Sequence, residues 1–415
     1  MSNLKVFNIQ NLNIFLISIL PLGLIAGTLV SNIIIILICI FFLYDLSVQK
    51  NLTYLGNFNF YFLTIICIYL FLNSFFISEN SESLIKSIGF FRFIILTYAI
   101  SYYLIDNTNK ILKIWTVLFL VVTFDILFEY TFGKNILGFK STYDGRISSF
   151  TGDELKIGGY YFGFIFLCLF FIKQYKQKYF LFFSVLFFVT SLLIGERSNF
   201  IKIFIMYFLF FAFFSEIKLF KKFLIIIFFG LISISIIFSV SSFKHRYITN
   251  IIKRNIDIAE KIFSNNNKDK DYKMIISQNK HFGHYYVATN IFKDNILFGS
   301  GFKSFRIVSK KNKYKEDGIF SGTTHPHQFH FEILSELGIF GYLLIFSNLI
   351  YVLFIKFRHK NQSIKIASFL FLVASLIPIL PSGSFFTSFG ATIFFINYSF
   401  LIRPNNINKI VNKSE

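Results

Sequence analysis

Charge is what this chain has least of. Only 15% of its 415 residues are Asp, Glu, Lys or Arg, against about 25% in a soluble globular chain. With 55% hydrophobic residues, that shortage excludes an ordinary water-soluble domain and leaves a chain that crosses a membrane many times. Acidic residues are the scarcer kind: 21 face 41 lysines and arginines, for a net charge of +20. In a soluble protein this excess would suggest nucleic acid, but here membrane orientation accounts for part of it and no nucleic-acid partner is expected. Cysteine is rare too. Cys39, Cys67 and Cys168 lie in apolar runs, which excludes a disulfide framework or a thiolate metal site. The chain has no Walker motif, nucleotide fingerprint, Gly-x-Ser-x-Gly elbow or His-Glu-x-x-His. A nucleotide-driven step is therefore not expected, and any substrate should arrive already activated. There is no internal repeat, so the inverted-repeat pattern of transporters is missing. The 63 phenylalanines, with abundant Ile, Asn and Lys, are read as nucleotide bias rather than an aromatic ligand site.

What is present is a series of apolar runs near the twenty-residue length that spans a bilayer. About twelve are expected, near 12–30, 31–47, 58–78, 88–105, 112–131, 157–173, 179–195, 199–215, 222–241, 329–355, 366–381 and 384–402. Residues 6–44 are uncharged and too long for a signal-peptide core, so they read as the first two spans. With both termini cytoplasmic, every inside loop carries lysine or arginine, whereas the short outside turns near 79–87 and 381–384 carry only Lys86. The expected organisation is a nine-span bundle over 1–241, a large periplasmic loop over 242–328, three spans over 329–402 and a cytoplasmic tail over 403–415. Within the loop, 245–263 and 284–294 have helical apolar spacing and 264–271 reads as a polar tip. This loop holds 16 lysines and arginines against 7 acids, a charge suited to a phosphate-bearing substrate.

Six of the seven histidines fall between 245 and 330. His325, His327 and His330 stand where the loop meets a span, followed by Glu332, Glu336, Gly338 and Gly341. His327 is the candidate catalytic group, because a neutral imidazole accepts a hydroxyl proton at neutral pH. His325 and His330 either shape the entrance or join a metal, and Pro326, which restricts His325, argues against the metal. Arg197, in the turn Gly195-Glu-Arg-Ser-Asn199, either grips phosphate oxygens or pairs with Glu196 and headgroups. Arg146, in Asp144-Gly-Arg-Ile-Ser-Ser-Phe-Thr-Gly-Asp-Glu154, is a second phosphate candidate, and Asp153 and Glu154 suit a helix start. Arg92 lies inside the fourth span and faces the bundle or snorkels. Asp125 and Glu129 share one helix face, as an acid/base pair, an ion site or a partner for Arg92. Gly299-Ser-Gly301 with Phe302, Phe305 and Arg306 is either a phosphate-cradling turn or a plain loop.

The stretch His325-Pro-His-Gln through Gly341 resembles the C-terminal signature of the bacterial O-antigen ligase and polymerase superfamily. Phe124 to Gly138, Gly145 to Leu155, Gly195-Glu-Arg-Ser and Leu297 to Arg306 resemble further segments of that superfamily in the same order. The likeness covers roughly 85–345. It implies an all-α, GT-C-like membrane bundle in the bacterial inner membrane, with a metal-independent, inverting glycosyltransferase site on its periplasmic face and no cofactor. The implied donor is a glycan on undecaprenyl diphosphate. The acceptor is a second lipid-linked unit in a polymerase, which the 124–155 likeness favours, or the lipid A core in a ligase. A chain-length regulator would be a further partner. By position, His327 takes the family histidine's role and Arg197 that of the diphosphate arginine. Gln328 replaces an Asn and Phe331 a Leu. The second loop arginine has no clear counterpart: Arg246, Arg254 and Arg306 are candidates, and His281 and His284 occupy the region. Two rival classes remain: a lipid-glycan flippase, using Arg92, Asp125 and the basic loop, and a non-catalytic assembly or chain-length protein.

Overall fold

The computed structural model describes residues 9–143, 145–152, 154–253, 256, 260, 280–315, 322–355, 357 and 363–404. It is helical throughout, with no strand among the described residues. The main helices are α1 (Ile9–Ala26), α2 (Thr28–Val48), α3 (Phe58–Phe76), α4 (Ser83–Phe132), α5 (Ile157–Tyr175), α6 (Phe180–Leu193), α7 (Arg197–Leu209), α8 (Leu219–Ser239), α9 (Lys280–Asp294), α10 (Phe329–Ile350), α11 (Ser363–Ser375) and α12 (Ser388–Ile402). Eight of them, α1 to α5, α7, α8 and α10, are long and apolar enough to cross a membrane, and α6, α11 and α12 are shorter apolar helices.

The expected spans at 88–105 and 112–131 form one helical element of 50 residues. Its contour of about 75 Å is more than twice the hydrocarbon thickness, and its contacts double back. Arg92 bonds Ser388 at the start of α12, and Thr108 accepts from Arg403 just past its end. Beyond that point the element climbs back along α5, with Phe119 against Tyr161 and Thr123 bonded to the Tyr161 hydroxyl. The polar run between them, Asp106-Asn-Thr-Asn-Lys110, reads as a loop in sequence, but it contains no Gly or Pro and stays helical.

Helix α5 is buried nearly all round, as expected of a central helix. By contrast α8 fully buries only Phe229 and Ser233 and lies at the rim of the bundle. Several polar groups inside the apolar mass satisfy one another, as the absence of water there favours. Asn348 donates to Asn59 at 3.1 Å, the Tyr398 hydroxyl lies 2.8 and 2.7 Å from the side-chain oxygens of Asn59 and Asn348, and Trp115 Nε1 donates to Ile17 O at 3.0 Å. Of the loop between α8 and α10, a helical turn (Lys244–Lys253), α9 and the short helix Phe305–Val308 are described. The expected tip at 264–271, most of 254–263, and Arg254 lie outside the described residues, as do Asp144, Asp153 and the tail from 405.

Candidate functional site

The site is built at the end of the bundle where α10 and α12 begin. Its first part is a set of three arginines. Two carboxylates on α4 hold the following loop in place: Asp125 accepts from Ile136 N at 2.8 Å and from the Ser149 hydroxyl, and Glu129 accepts from Ser148 N and Ser149 N at 3.2 and 2.6 Å. The loop then lies against the α6–α7 turn, where Ile147 N donates to Ile194 O at 3.1 Å. Gly195 must be glycine here. It has φ +76, and a Cβ would sit 2.2 Å from Gly145 O. This close approach brings Arg146 beside Arg197 at the start of α7. Arg197 Nη1 donates to Arg246 O at 2.9 Å, and the Arg246 side chain packs over Gly145. Burial, then Arg146 and Arg197, lower the Arg246 pKa. Glu196 is buried among these groups and accepts from Asn199 Nδ2 at 2.6 Å. Burial raises its pKa, against the pull of Arg146 and Arg246. Three guanidiniums against one carboxylate leave a net positive, half-enclosed site for a multiply charged anion.

Histidines form the second part. Gln328 caps α10 through its side-chain oxygen, which accepts from Phe331 N at 3.0 Å. Just before this cap His327 takes a left-handed backbone, φ +59, and its carbonyl accepts from Ser382 N at 2.8 Å. Its ring centre lies 4.0 Å from that of His325, 5.2 Å from His284 and 5.6 Å from His281. His281 and His284 stand one turn apart on α9, and their joining His327 was not foreseen. Burial lowers the His327 pKa. Burial, His327, Arg197 and Arg146 push His281 down to about 4. Burial, His327, Lys303, His284 and Arg306 push His325 down to about 3. These three imidazoles are therefore neutral proton acceptors at pH 7. The same interactions show that the arginines, Lys303, Arg306 and the histidines share one electrostatic site. His325 Nδ1 lies 3.0 Å from the Thr324 hydroxyl, and its buried Nε2 has no partner among the described residues.

His330 is turned elsewhere. Its Nδ1 is 3.1 Å from the hydroxyl of Tyr342, further along α10, and its Nε2 2.8 Å from Leu376 O just past α11, so Nε2 ties α10 to the end of α11. Among the described residues no group of three or more His, Cys, Asp or Glu is placed to hold a metal.

The segment Gly299-Ser-Gly301 is a packing loop. Ser300 N and Gly301 N donate to Ser335 O and Glu336 O, both at 2.9 Å, so these amides are not offered to a phosphate. A Cβ at Gly338, where α10 breaks with φ +65, would meet Leu297 O at 2.4 Å. Arg92 and Asp125 also lie outside the basic cluster. Arg92 Nη1 donates to Gly89 O at 2.5 Å and Nη2 to Ser388 Oγ at 3.1 Å, with the guanidinium 4.4 Å over Phe93. Asp125 is fully buried with both oxygens engaged by the 136–149 loop, so the Arg92–Asp125 pairing considered from sequence is not formed. The two sit on opposite arms of α4.

Sequence reasoning missed Lys303. It is buried, has φ +57, and its Nζ donates to Ser384 Oγ at 3.0 Å. Ser384 Oγ donates in turn to Glu332, whose other oxygen accepts from Phe385 N at 2.8 Å. Glu336 accepts from Lys303 N and Phe305 N at 3.0 and 3.2 Å. It also missed Lys202, buried on α7 with Nζ 3.4 Å from Pro381 O. A lysine within an expected span was the available signal. For Lys303, inside a glycine- and phenylalanine-rich loop, no comparable signal exists.

Residues 182–346 match the family model described as O-antigen ligase. The matched stretch contains Arg197, Arg246, the four clustered histidines and Lys303; Arg146 and the Asp125–Glu129 pair precede it. No curated protein matches the chain. Residues 182–346 thus carry a domain of the O-antigen ligase and polymerase superfamily, in a helical chain with eight membrane-capable helices among its described residues.

Proposed function

From a domain of the O-antigen ligase type, we propose that the protein is an inverting glycosyltransferase that moves an O-antigen-type glycan from undecaprenyl diphosphate to a sugar hydroxyl. The observation that carries this reading is the neutral histidine cluster set directly against three arginines. The acceptor oxygen attacks the anomeric carbon, its proton passes to His327, and the bond from that carbon to the diphosphate oxygen breaks. Arg146, Arg197 and Arg246 stabilise the charge gathering on the departing undecaprenyl diphosphate. Arg246, whose backbone is bonded to Arg197, fills the place of the second loop arginine better than Arg306, which stands near His325. Losing one such preorganised charge costs on the order of 3 kcal/mol, about a hundredfold in rate. With guanidiniums in this role the reaction needs no metal. His325, with its buried Nε2, and Arg306 line the acceptor side.

In this reading α4 supplies two passes, for twelve in all, both termini are cytoplasmic and the site faces the periplasm of the inner membrane. Polymerase is favoured over ligase by the likeness across 124–155, with a second lipid-linked unit as acceptor and a chain-length regulator as partner. The test compares the lipopolysaccharide ladder and lipid-linked glycans in the native host, in a deletion, and with His327→Ala. Collapse to core plus one repeat in both altered strains supports a polymerase. Bare core with long lipid-linked chains accumulating supports a ligase. A folded His327→Ala protein with an unchanged ladder overturns the catalytic assignment in favour of a flippase or assembly protein.

A further inference from the structure

A second basic site lies at the opposite end of α12 from the histidines. Fifteen residues of helix, about 22 Å, separate Ser388 on the catalytic side from Arg403. Here a cavity of about 480 Å³ opens among α4, α5, α11 and α12, lined by Asp106, Thr108, Lys173, Lys365, Phe400 and Arg403 among others. Three cations face one carboxylate. They are also held in place. Arg403 Nη1 donates to Thr108 Oγ1 at 2.6 Å, and its buried Nε has no partner among the described residues. The Lys173 ammonium sits 5.5 to 5.8 Å from the ring centres of Phe170, Phe180 and Phe210, and Lys365 is buried. Fixed, partly desolvated cations around an open cavity recognise a compact anion, and an arginine beside lysines suits phosphate oxygens.

We propose that this cavity binds a phosphate group, carried by the headgroup of an anionic phospholipid. The half-buried Ile105 and Ile364 give the cavity an apolar edge on which the glycerol and first acyl carbons rest, which free phosphate would leave empty. The bound lipid joins the turn-back of α4 to the ends of α5 and α12, where the long element changes direction and has no loop to fix it.

The full-length protein in non-ionic detergent is titrated with dioleoyl phosphatidylglycerol, dioleoyl phosphatidylcholine or sodium phosphate. Bound molecules are counted by native mass spectrometry. One phosphatidylglycerol should be retained at least tenfold more tightly than phosphatidylcholine, and Arg403→Gln should weaken it at least tenfold. Lys173→Gln, which alters a half-buried residue, keeps the test valid if the arginine variant does not fold, and should weaken binding several-fold. Displacement of the lipid by sodium phosphate would support phosphate recognition and assign the source to the free ion. Equal retention of both lipids, or unchanged phosphatidylglycerol binding in the folded variants, would overturn the proposal.

Discussion

Two pairs of carboxylates, each four residues apart on one helix face, flank the histidine and arginine cluster, and they are not equivalent. Asp125 and Glu129 on α4 accept from Ile136, Ser148 and Ser149 and so position the loop bearing Arg146. Glu332 and Glu336 on α10 accept from Lys303, Phe305, Ser384 and Phe385 and so clasp two loops at once. The α10 pair is joined to a buried ammonium, since Lys303 reaches Glu332 through Ser384. For the α4 pair, no ion pair occurs among the described residues. Ionisable groups within membrane helices invite a catalytic reading. Here both pairs act as acceptors for loop backbone, and only one is a charged clasp.

The sharpest way to break this comparison is Lys303→Met. It removes the cation and leaves buried carboxylate charge, a change that costs on the order of 3–5 kcal/mol. Thermal unfolding in detergent should show a large drop, and an unchanged transition would mean that Lys303 does not compensate the pair. Next is Glu336→Gln, which turns one of two acceptor oxygens into a donor facing backbone N–H. A loss of about 2 kcal/mol is expected by the same assay, and a neutral result would show that the loop amides find other partners. Asp125→Asn should be milder, about 1 kcal/mol, because an amide oxygen still accepts from Ile136 N. Its signature is kinetic: KM for the lipid-linked donor should rise as the Arg146 loop loosens, while kcat holds. A fall in kcat with KM unchanged would make Asp125 part of the chemistry.

A further test concerns pH dependence. His281 and His325 have folded-state pKa values of about 4 and about 3, below the ordinary 6.5. The unfolded chain therefore binds more protons below pH 6.5. Stability should be full above that pH and decline as the pH falls through the window from 6.5 toward 3. Thermal transitions measured from pH 8 to 5 check this, and a rise in stability on acidification would reverse the assignment. Transfer activity should be level from pH 7 to 8, since the imidazoles are already neutral.

Much of this was legible in the sequence. Apolar runs locate the helices because twenty residues are needed to cross a bilayer, and the histidine at the head of α10 and the arginine at the head of α7 are visible as polar groups at span ends. Neighbours were not legible. Periodicity says that a helix has a buried face, but not which helix covers it. Arg92 and Asp125 therefore looked like partners although α4 carries them on opposite arms, and nothing in the sequence brought α9 against His327. Lys303 was hidden because its burial depends on Glu336 and Ser384, 33 and 81 residues further along the chain.

The left-handed backbone at His327 has a consequence for how this protein tolerates change. A non-glycine residue there is held in a conformation costing about 1–3 kcal/mol, and the fold bears that cost only to aim a ring at its neighbours. His327→Gly should therefore unfold at a higher temperature than His327→Ala, with both inactive. If His327 is the proton acceptor proposed above, drift at this position would lead toward a sturdier and silent protein.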